Sequence, residues 1–289
     1  MATPTLEAVL ARVPASSANL GPGFDALGLA LARYVEVRVE PADEFTITSS
    51  GEGAGRFDSE DHLGARVVHE CLGHWNFSIH VHSDIPVSRG LGSSAALAVA
   101  AAAAAGHGSP LLVGTRVDGH AENAAASVMG GLVVARGHDV DVVARPLALD
   151  PEWRVVVVVP DEELSTEAAR RVLPREVPFA DAVNNLSALG LLLAGLADHH
   201  LWHPDAVSDA LHQPYRSALL SYSTELLQCL REAGAAGSCW SGAGSTMLAF
   251  VRSDSSPTVA SAANEFLSRR GVAGRVWELE VDRAGLVVS

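Results

Sequence analysis

The chain has 289 residues, 48% of them hydrophobic, and a formal net charge of −14 at pH 7. This composition predicts one large or two ordinary globular domains, and the acidic balance argues against a nucleic-acid or anionic-membrane partner, since both select clustered positive charge. The sequence contains no lysine, which excludes a Walker-type phosphate loop, a protein-kinase ATP lysine and a Schiff base.

The first half of the chain alternates predicted strands and helices. Strands are predicted where apolar and polar residues alternate, and helices where apolar residues recur every three or four positions. The predicted elements are a strand at Val35–Glu40 paired with Phe45–Thr48, a helix at Asp61–Cys71, a strand at Phe77–His82, a glycine-rich loop followed by an alanine helix, and paired strands at Gly130–Ala135 and Val140–Val143 with a turn at Gly137–His138.

In the second half, Trp153–Val159 (WRVVVVV) is predicted to be a central strand, because an unbroken β-branched run suits burial on both faces. Further elements are predicted as helices at Thr166–Val172, Pro178–His199 and Thr224–Ala233, and as closing strands at Phe250–Arg252 and Val276–Val281. Pro146–Pro151 marks a boundary. We therefore predict an α+β protein with domains at residues 1–150 and 151–289.

Nothing in the sequence predicts export or membrane insertion. The three cysteines lack metal-ligand spacing and are expected to be reduced thiols. The N-terminal segment lacks the basic start and apolar core of a signal peptide, and the apolar run Ala95–Gly106 is too short to span a bilayer. We expect a cytoplasmic protein.

One motif with chemical potential is the segment PVSRGLGSSAALAVAAAAAAG, which begins at Pro86. Glycines before a helix let the backbone approach a ligand, and the unpaired amides of the first helical turn attract anions. The serines could bond phosphate or ligate a metal ion, so the segment could cradle an anion. Alternatively, Ser93 or Ser94 is a simple helix N-cap.

Two further segments rich in small residues accompany this loop. VPASSANLGPGFDALGLAL, from Val13 to Leu31, is expected to be loop-like and carries Asn19 and Asp25, which could bind an amine or hydroxyl. Asp25 as a helix cap is the competing interpretation. GSCWSGAGSTMLAF, which ends at Phe250, holds a second glycine-serine turn that is a weak signal alone.

Together, these three motifs resemble the GHMP kinases, the family that includes galactokinase and mevalonate kinase. Within it the sequence is most similar to the branch that phosphorylates homoserine. The matching segments are Val13–Leu31, Ile85–Ala96, Gly119–Gly131, Ser165–Pro174, Ala180–Leu189, Leu211–Arg216 and Ser241–Thr246. The resemblance implies a two-domain fold, with an N-terminal ATP-binding α/β domain and a C-terminal ferredoxin-like domain, and a homodimer.

The resemblance also implies an ATP and Mg²⁺ site. The residues expected to wrap the ATP phosphates are Pro86, Val87, Ser88, Arg89, Gly90, Leu91, Gly92, Ser93, Ser94, Ala95 and Ala96. Ser94 and Asp118 are expected to ligate Mg²⁺. Aspartate stands at position 118 where the family has a glutamate, and the segment between the loop and this acid is shorter than usual.

The implied substrate site takes an amino acid with a hydroxyl group. Its expected residues are Asn19, Asp25, His120, Asn123, Thr166, Arg170 and Arg216. The guanidinium fork of an arginine suits the substrate carboxylate, and Asp25 suits the ammonium group. We expect His120 to bind rather than to act as a base.

The implied reaction is in-line transfer of the ATP γ-phosphoryl group to the hydroxyl of L-homoserine, which gives O-phospho-L-homoserine for threonine biosynthesis. Such a transfer needs mainly positioning and charge stabilisation, for which we expect Asn123, Arg170 and Asn19. The alternatives are a GHMP kinase for another alcohol and a non-catalytic relative that binds nucleotide or amino acid.

Overall fold

Two β-sheets, one formed mainly by each half of the chain, are covered by helices in this computed structural model, which describes residues 8–137 and 141–289. The first sheet contains β1 (Val9–Ala18), β2 (Leu27–Pro41), β3 (Thr46–Gly51), β4 (Phe77–Ser83), β5 (Leu132–Arg136), β6 (Val143–Leu147) and β11 (Val287–Val288). The second contains β7 (Trp153–Pro160), β8 (Gly237–Trp240), β9 (Met247–Arg252) and β10 (Gly274–Glu280). The helices are α1 (Leu63–Leu72), α2 (Ser93–Ala104), α3 (Pro110–Asp118), α4 (Ala121–Met129), α5 (Thr166–Arg171), α6 (Phe179–Ala197), α7 (Gln213–Arg216), α8 (Ser223–Glu232) and α9 (Ser256–Arg270).

The pairing within both sheets is predominantly antiparallel, and the predicted α+β class is confirmed. The first sheet has the order β11-β1-β2-β4-β3, with β5 bridging β2 and β6, and only β3 and β4 run parallel among the described strands. The second sheet has the order β10-β7-β9-β8. The predicted boundary near residue 150 falls between β6 and β7, while β11 returns the end of the chain to the edge of the first sheet beside β1. The two domain ranges stay a prediction.

Strand β7 is buried on both faces, as its unbroken valine run predicts. Val155 and Val157 contribute to the core that also contains Leu192 of α6. Val156 and Val158 point to a second core, which is filled from α8 and α9. A strand enclosed in this way gains stability from apolar burial on each face and has no need of the polar alternation of a half-exposed strand.

The alanine helix α2 is enclosed by elements of the first half of the chain and is buried along most of its length. It packs against α1, α3, β1 and β2. Gly114 of α3 comes so close that an added Cβ would lie 2.7 Å from Val99 Cγ2 and 2.9 Å from Ala124 Cβ. Small side chains let the surrounding elements approach the helix axis, and this holds α2 in place with Ser93 and Ser94 at its more accessible N-terminal end.

Two sequence-based assignments are wrong. The segment Val13–Leu31 is not a loop but supplies most of β1 and the start of β2, separated by a turn at residues 19–26. Its small residues are buried on both faces, so the segment lacks the alternation that marks a strand. The strand predicted at Phe45–Thr48 pairs with β4 rather than with Val35–Glu40 of β2.

The other predicted elements are observed with shifted ends. The second strand of the β5–β6 hairpin begins at Val143, and residues 138–140, which include part of the predicted turn, lie outside the described residues. Helix α6 is long and apolar enough, by length and composition alone, to cross a membrane. In the structure it packs Leu192 and Leu196 into the core, and Asn185 Nδ2 donates to the carbonyl of Pro22 (2.8 Å).

Candidate active site

The glycine-rich loop before α2 is held between β1 and the turn at residues 241–246. Gly90 and Gly92 have φ angles of +76° and +66°, which favour glycine. An added Cβ at Gly92 would lie 2.0 Å from Ser16 Oγ, and one at Gly90 would lie 2.2 Å from the carbonyl oxygen of Ser241. Both glycines are therefore required by backbone conformation and by close approach.

The N-terminus of α2 opens into a cavity, and the amides of a first helical turn have no partners within the helix. The N-cap residue is Gly92, which offers no side-chain cap, so the interpretation of Ser93 or Ser94 as the cap is wrong. Both serines instead occupy the first helical turn and line the cavity. Free amides, hydroxyl groups and the helix dipole combine there to favour a bound anion.

The structure divides the residues predicted for the phosphate loop into two groups. Those lining the cavity, here called the loop cavity, are Ser88, Arg89, Gly90, Gly92, Ser93 and Ser94. The side chains of Pro86, Leu91, Ala95 and Ala96 are buried in the protein, and Val87 lines a neighbouring cavity. The buried group shapes the loop and anchors its ends.

Arg89 fastens the loop to the second half of the chain. Its guanidinium donates to the carbonyl oxygens of Pro160 (3.0 Å), Val87 (3.0 Å) and Asp161 (2.6 Å). Glu163 lies 3.4 Å away. These hydrogen bonds use three of the five guanidinium N–H groups, so Arg89 ties the loop to the end of β7.

Ser94 and Asp118, the two expected Mg²⁺ ligands, line the same loop cavity. Asp118 is the last residue of α3, and its Oδ2 accepts a hydrogen bond from Asn123 Nδ2 (2.8 Å). His120 Nδ1 lies 3.9 Å from the same oxygen. A hydroxyl and an oriented carboxylate are hard oxygen donors of the kind that Mg²⁺ prefers, so this pair fits the ion.

A second cavity, here called the substrate cavity, adjoins the first. All seven residues predicted to hold the substrate line it: Asn19, Asp25, His120, Asn123, Thr166, Arg170 and Arg216. The two cavities share a wall formed by Asp118, Asn123, Thr166, Gly242 and Ala243. A ligand in one cavity is therefore adjacent to a ligand in the other.

The turn between β1 and β2 presents Asn19 and Asp25 to the substrate cavity. Both residues adopt the left-handed region, with φ angles of +74° and +53°, which asparagine and aspartate tolerate best among non-glycine residues. Asn19 Oδ1 accepts from the amide of Asp25 (3.0 Å), and its Nδ2 donates to the carbonyl of Gly242 (2.8 Å). The turn is thus fixed to the glycine motif of the second half.

Arg170 and Arg216 bring two positive charges to the same side of the cavity. Arg170 donates to both carboxylate oxygens of Asp25, and among the described residues its buried Nε has no hydrogen-bond partner. Arg216 is 1% exposed, and its Nη1 donates to the carbonyl of Gly242 (2.8 Å). Burial, and then the nearby charge of Arg170, lower the pKa of Arg216 to about 10. Both guanidiniums lie over the ring of Phe24.

Glu122 is a site residue that was not predicted from the sequence. It is 3% exposed and lines the substrate cavity. Burial raises the pKa of its carboxyl to about 7. The signal that could have found it is its position between His120 and Asn123, two residues that were predicted.

An apolar cavity of about 160 Å³ beside the loop was also not predicted. Its walls include Val35, Phe57, His62, Leu63, Val87 and Leu97, and Ser93 and Ser94 border it. The residues come from β2, α1, α2 and the loops between them, so no short motif marks the cavity. Its position next to the N-terminus of α2 suits a flat apolar group attached to a phosphate.

Two family models match separate parts of the chain, and known proteins match nearly the whole of it. The model for the GHMP kinases N-terminal domain matches residues 63–131, and that for the GHMP kinases C-terminal domain matches residues 180–269. The homoserine kinase of Desulfitobacterium hafniense is 36% identical over 97% of this chain and 99% of its own. That of Moorella thermoacetica is 38% identical over 96% and 99%. The crystal structure of homoserine kinase from Cytophaga hutchinsonii has a TM-score of 0.86 and 26% identity, covering 100% of this chain and 99% of its own.

Proposed function

Because the chain belongs to the GHMP kinase family, we propose that it transfers the γ-phosphoryl group of ATP to the hydroxyl group of L-homoserine. It is an ATP-dependent small-molecule kinase, and the homoserine kinases described above are among its full-length relatives. The product is O-phospho-L-homoserine, an intermediate of threonine biosynthesis. We further propose a cytoplasmic location and a homodimer.

The observation that carries this proposal is the shared wall between the two cavities. An anion cradle at the N-terminus of α2 lies on one side, and a cavity lined by two arginines and three carboxylates lies on the other. In-line transfer requires donor and acceptor to lie side by side in fixed orientation, and positioning supplies much of the rate acceleration. The arrangement fits a phosphate donor next to a zwitterionic acceptor.

On the donor side, we propose that the amides of the first turn of α2 bind the ATP phosphates, and that Ser93 and Ser94 add hydroxyl donors. The apolar cavity beside them would accept the adenine ring. Ser94 and Asp118 would hold Mg²⁺, which when bound neutralises phosphate charge as the γ-phosphoryl group is transferred. With no lysine in the chain, the remaining positive potential comes from the helix dipole and from arginine.

On the acceptor side, we propose that Arg216 and the Nε group of Arg170 bind the substrate carboxylate. Asn123 and Thr166 belong to the shared wall, so they would orient the reacting hydroxyl group. Asn19 and Asp25 hold the turn that closes the cavity. Interaction with the Asp118 carboxylate, 3.9 Å from His120 Nδ1, raises the pKa of His120. A shift in that direction favours the cationic imidazole, which suits binding of an anionic group better than proton abstraction.

The test is release of ADP by the purified protein with ATP, Mg²⁺ and L-homoserine, compared with mevalonate and galactose as acceptors. We expect turnover that requires Mg²⁺ and is confined to homoserine among the three. Turnover of another acceptor in its place would make the chain a different GHMP kinase. Binding of ATP and homoserine without ADP release from any acceptor would favour the non-catalytic alternative.

A further inference from the structure

One carboxylate oxygen of Glu122 is left unsatisfied by the part of the chain that the structure describes. Its Oε2 is buried and has no hydrogen-bond partner among the described residues. The residue lies in the first turn of α4 and borders the substrate cavity but not the loop cavity. A buried acceptor without a partner is costly, so such a group in a ligand cavity indicates a donor that arrives with the ligand.

The other two carboxylates of the substrate cavity are already engaged. Asp25 accepts from Arg170 through both of its oxygens, at 2.6 and 3.1 Å. Asp118 accepts from Asn123 and belongs to the wall shared with the loop cavity. Glu122 differs from both in having an unsatisfied oxygen and in lying away from the phosphate loop.

The charges around the cavity indicate which donor would satisfy this oxygen. Arg170 and Asp25 offset each other as an ion pair, Arg216 adds a positive charge that attracts an anionic group, and Asp118 and Glu122 make the remaining wall acidic. His120, at the N-cap of α4, is the other titratable group at this wall. Burial raises the pKa of Glu122, so its ionised form requires a cation as a close neighbour. An ammonium group supplies both the charge and the N–H donors.

We propose that Glu122 binds the ammonium group of the amino-acid substrate and so determines the preference for an α-amino acid over an uncharged or purely anionic alcohol. This inference rests on the proposed function, since it assumes an amino-acid acceptor. It replaces Asp25 as the principal ammonium ligand, because Asp25 is already neutralised by Arg170.

The experiment compares Glu122→Gln with Glu265→Gln, a matched control on the exposed face of α9. Steady-state kinetics with L-homoserine give KM and kcat, and competition by 4-hydroxybutanoate, which lacks the amino group, gives an inhibition constant. We expect Glu122→Gln to raise KM for homoserine about tenfold or more, with a smaller change in kcat. The inhibition constant of 4-hydroxybutanoate should stay within about threefold. Glu122→Asp keeps the charge and should give an intermediate KM.

Three outcomes would overturn the inference. A fall in kcat with unchanged KM would assign Glu122 to the chemical step. Equal weakening of homoserine binding and 4-hydroxybutanoate binding would mean that Glu122 has a structural role. No effect on the binding of either compound would mean that Glu122 does not contact the substrate. Failure of the proposed function is distinguishable, because then the wild-type protein itself would not turn over homoserine.

Discussion

Arg170 donates to both carboxylate oxygens of Asp25, at 2.6 and 3.1 Å, and thereby joins α5 in the second half of the chain to the β1–β2 turn in the first. About a third of each side chain is exposed, so solvent screens the pair and its contribution to folding is small. The pair matters in the site, because it fixes one wall of the substrate cavity and leaves the Asp25 carboxylate paired rather than free to bind a ligand.

We therefore expect Arg170→Met to weaken substrate binding with little effect on the stability of the fold. The variant loses the Nε donor and frees Asp25, so KM for homoserine should rise about tenfold or more, while the free energy of unfolding falls by less than about 1 kcal/mol. Arg171→Met is the matched control, because Arg171 is the next residue and pairs with Glu167 on the exposed surface. Kinetics and denaturant unfolding of both variants test this. Equal effects of the two substitutions on KM would contradict it.

Two glycines, Gly92 in the glycine-rich loop and Gly106 after α2, allow the effect of a strained backbone angle to be measured separately from the effect of steric overlap. Gly92 and Gly106 have similar positive φ angles, +66° and +73°, but an added Cβ meets Ser16 Oγ at 2.0 Å in the first case and nothing within 4 Å in the second. Gly106→Ala should cost about 1 kcal/mol of stability and leave KM for ATP unchanged. Gly92→Ala should in addition displace the loop and raise KM for ATP about tenfold or more. A similar KM in the two variants would show that the close approach at Gly92 has no role in nucleotide binding.

The role of Asp118 can be tested without changing the shape of the side chain. Asp118→Asn keeps the size but removes the negative charge, so the Mg²⁺ concentration for half-maximal activity should rise about tenfold. Asp43→Asn, at an exposed position far from the site in sequence, serves as the control. Titration of Mg²⁺ at fixed ATP measures the effect. An unchanged titration would mean that Asp118 only orients Asn123.

Much of the site could be predicted because its residues lie in compact motifs. The loop glycines, Asn19 and Asp25 each belong to short segments whose composition already indicated bare backbone and tight turns. The pairing of Asp25 with Arg170 could not be predicted, since nothing local links residues so far apart in the chain. Glu122 was overlooked because an acidic residue in the first turn of a helix is ordinary on dipole grounds, and only burial makes it unusual.

The same logic explains where the fold prediction failed. The part of β1 from Val13 to Ala18 was expected to be loop-like because its residues are mostly small. These residues are buried on both faces, so they show no period of two and, after Val13, no bulky β-branched side chains. The long β7 strand, with its valine run, was predicted almost to the residue. The small side chains next to the glycine-rich loop allow close packing around the candidate site. Because they are small, the sequence there lacks the alternation of apolar and polar residues that predicts a strand.

Glu122 should make the protein less stable as the pH rises, and Glu122→Gln should remove this dependence. Burial raises the pKa of Glu122 from its ordinary value of 4.5 to about 7, so the folded protein holds a proton that the unfolded chain releases above about pH 4.5. The stability contribution is therefore complete below 4.5 and is lost as the pH rises through about 7, with a total change of about 3 kcal/mol. Glutamine is neutral throughout, so the variant should gain in unfolding free energy relative to wild type between pH 5 and pH 8.

Denaturant unfolding of both proteins at the two pH values measures this double difference, in which the titration of groups other than Glu122 largely cancels. A difference that does not change with pH would mean that the carboxylate of Glu122 is solvated or paired in the folded protein, which would also remove the basis for its binding an ammonium group.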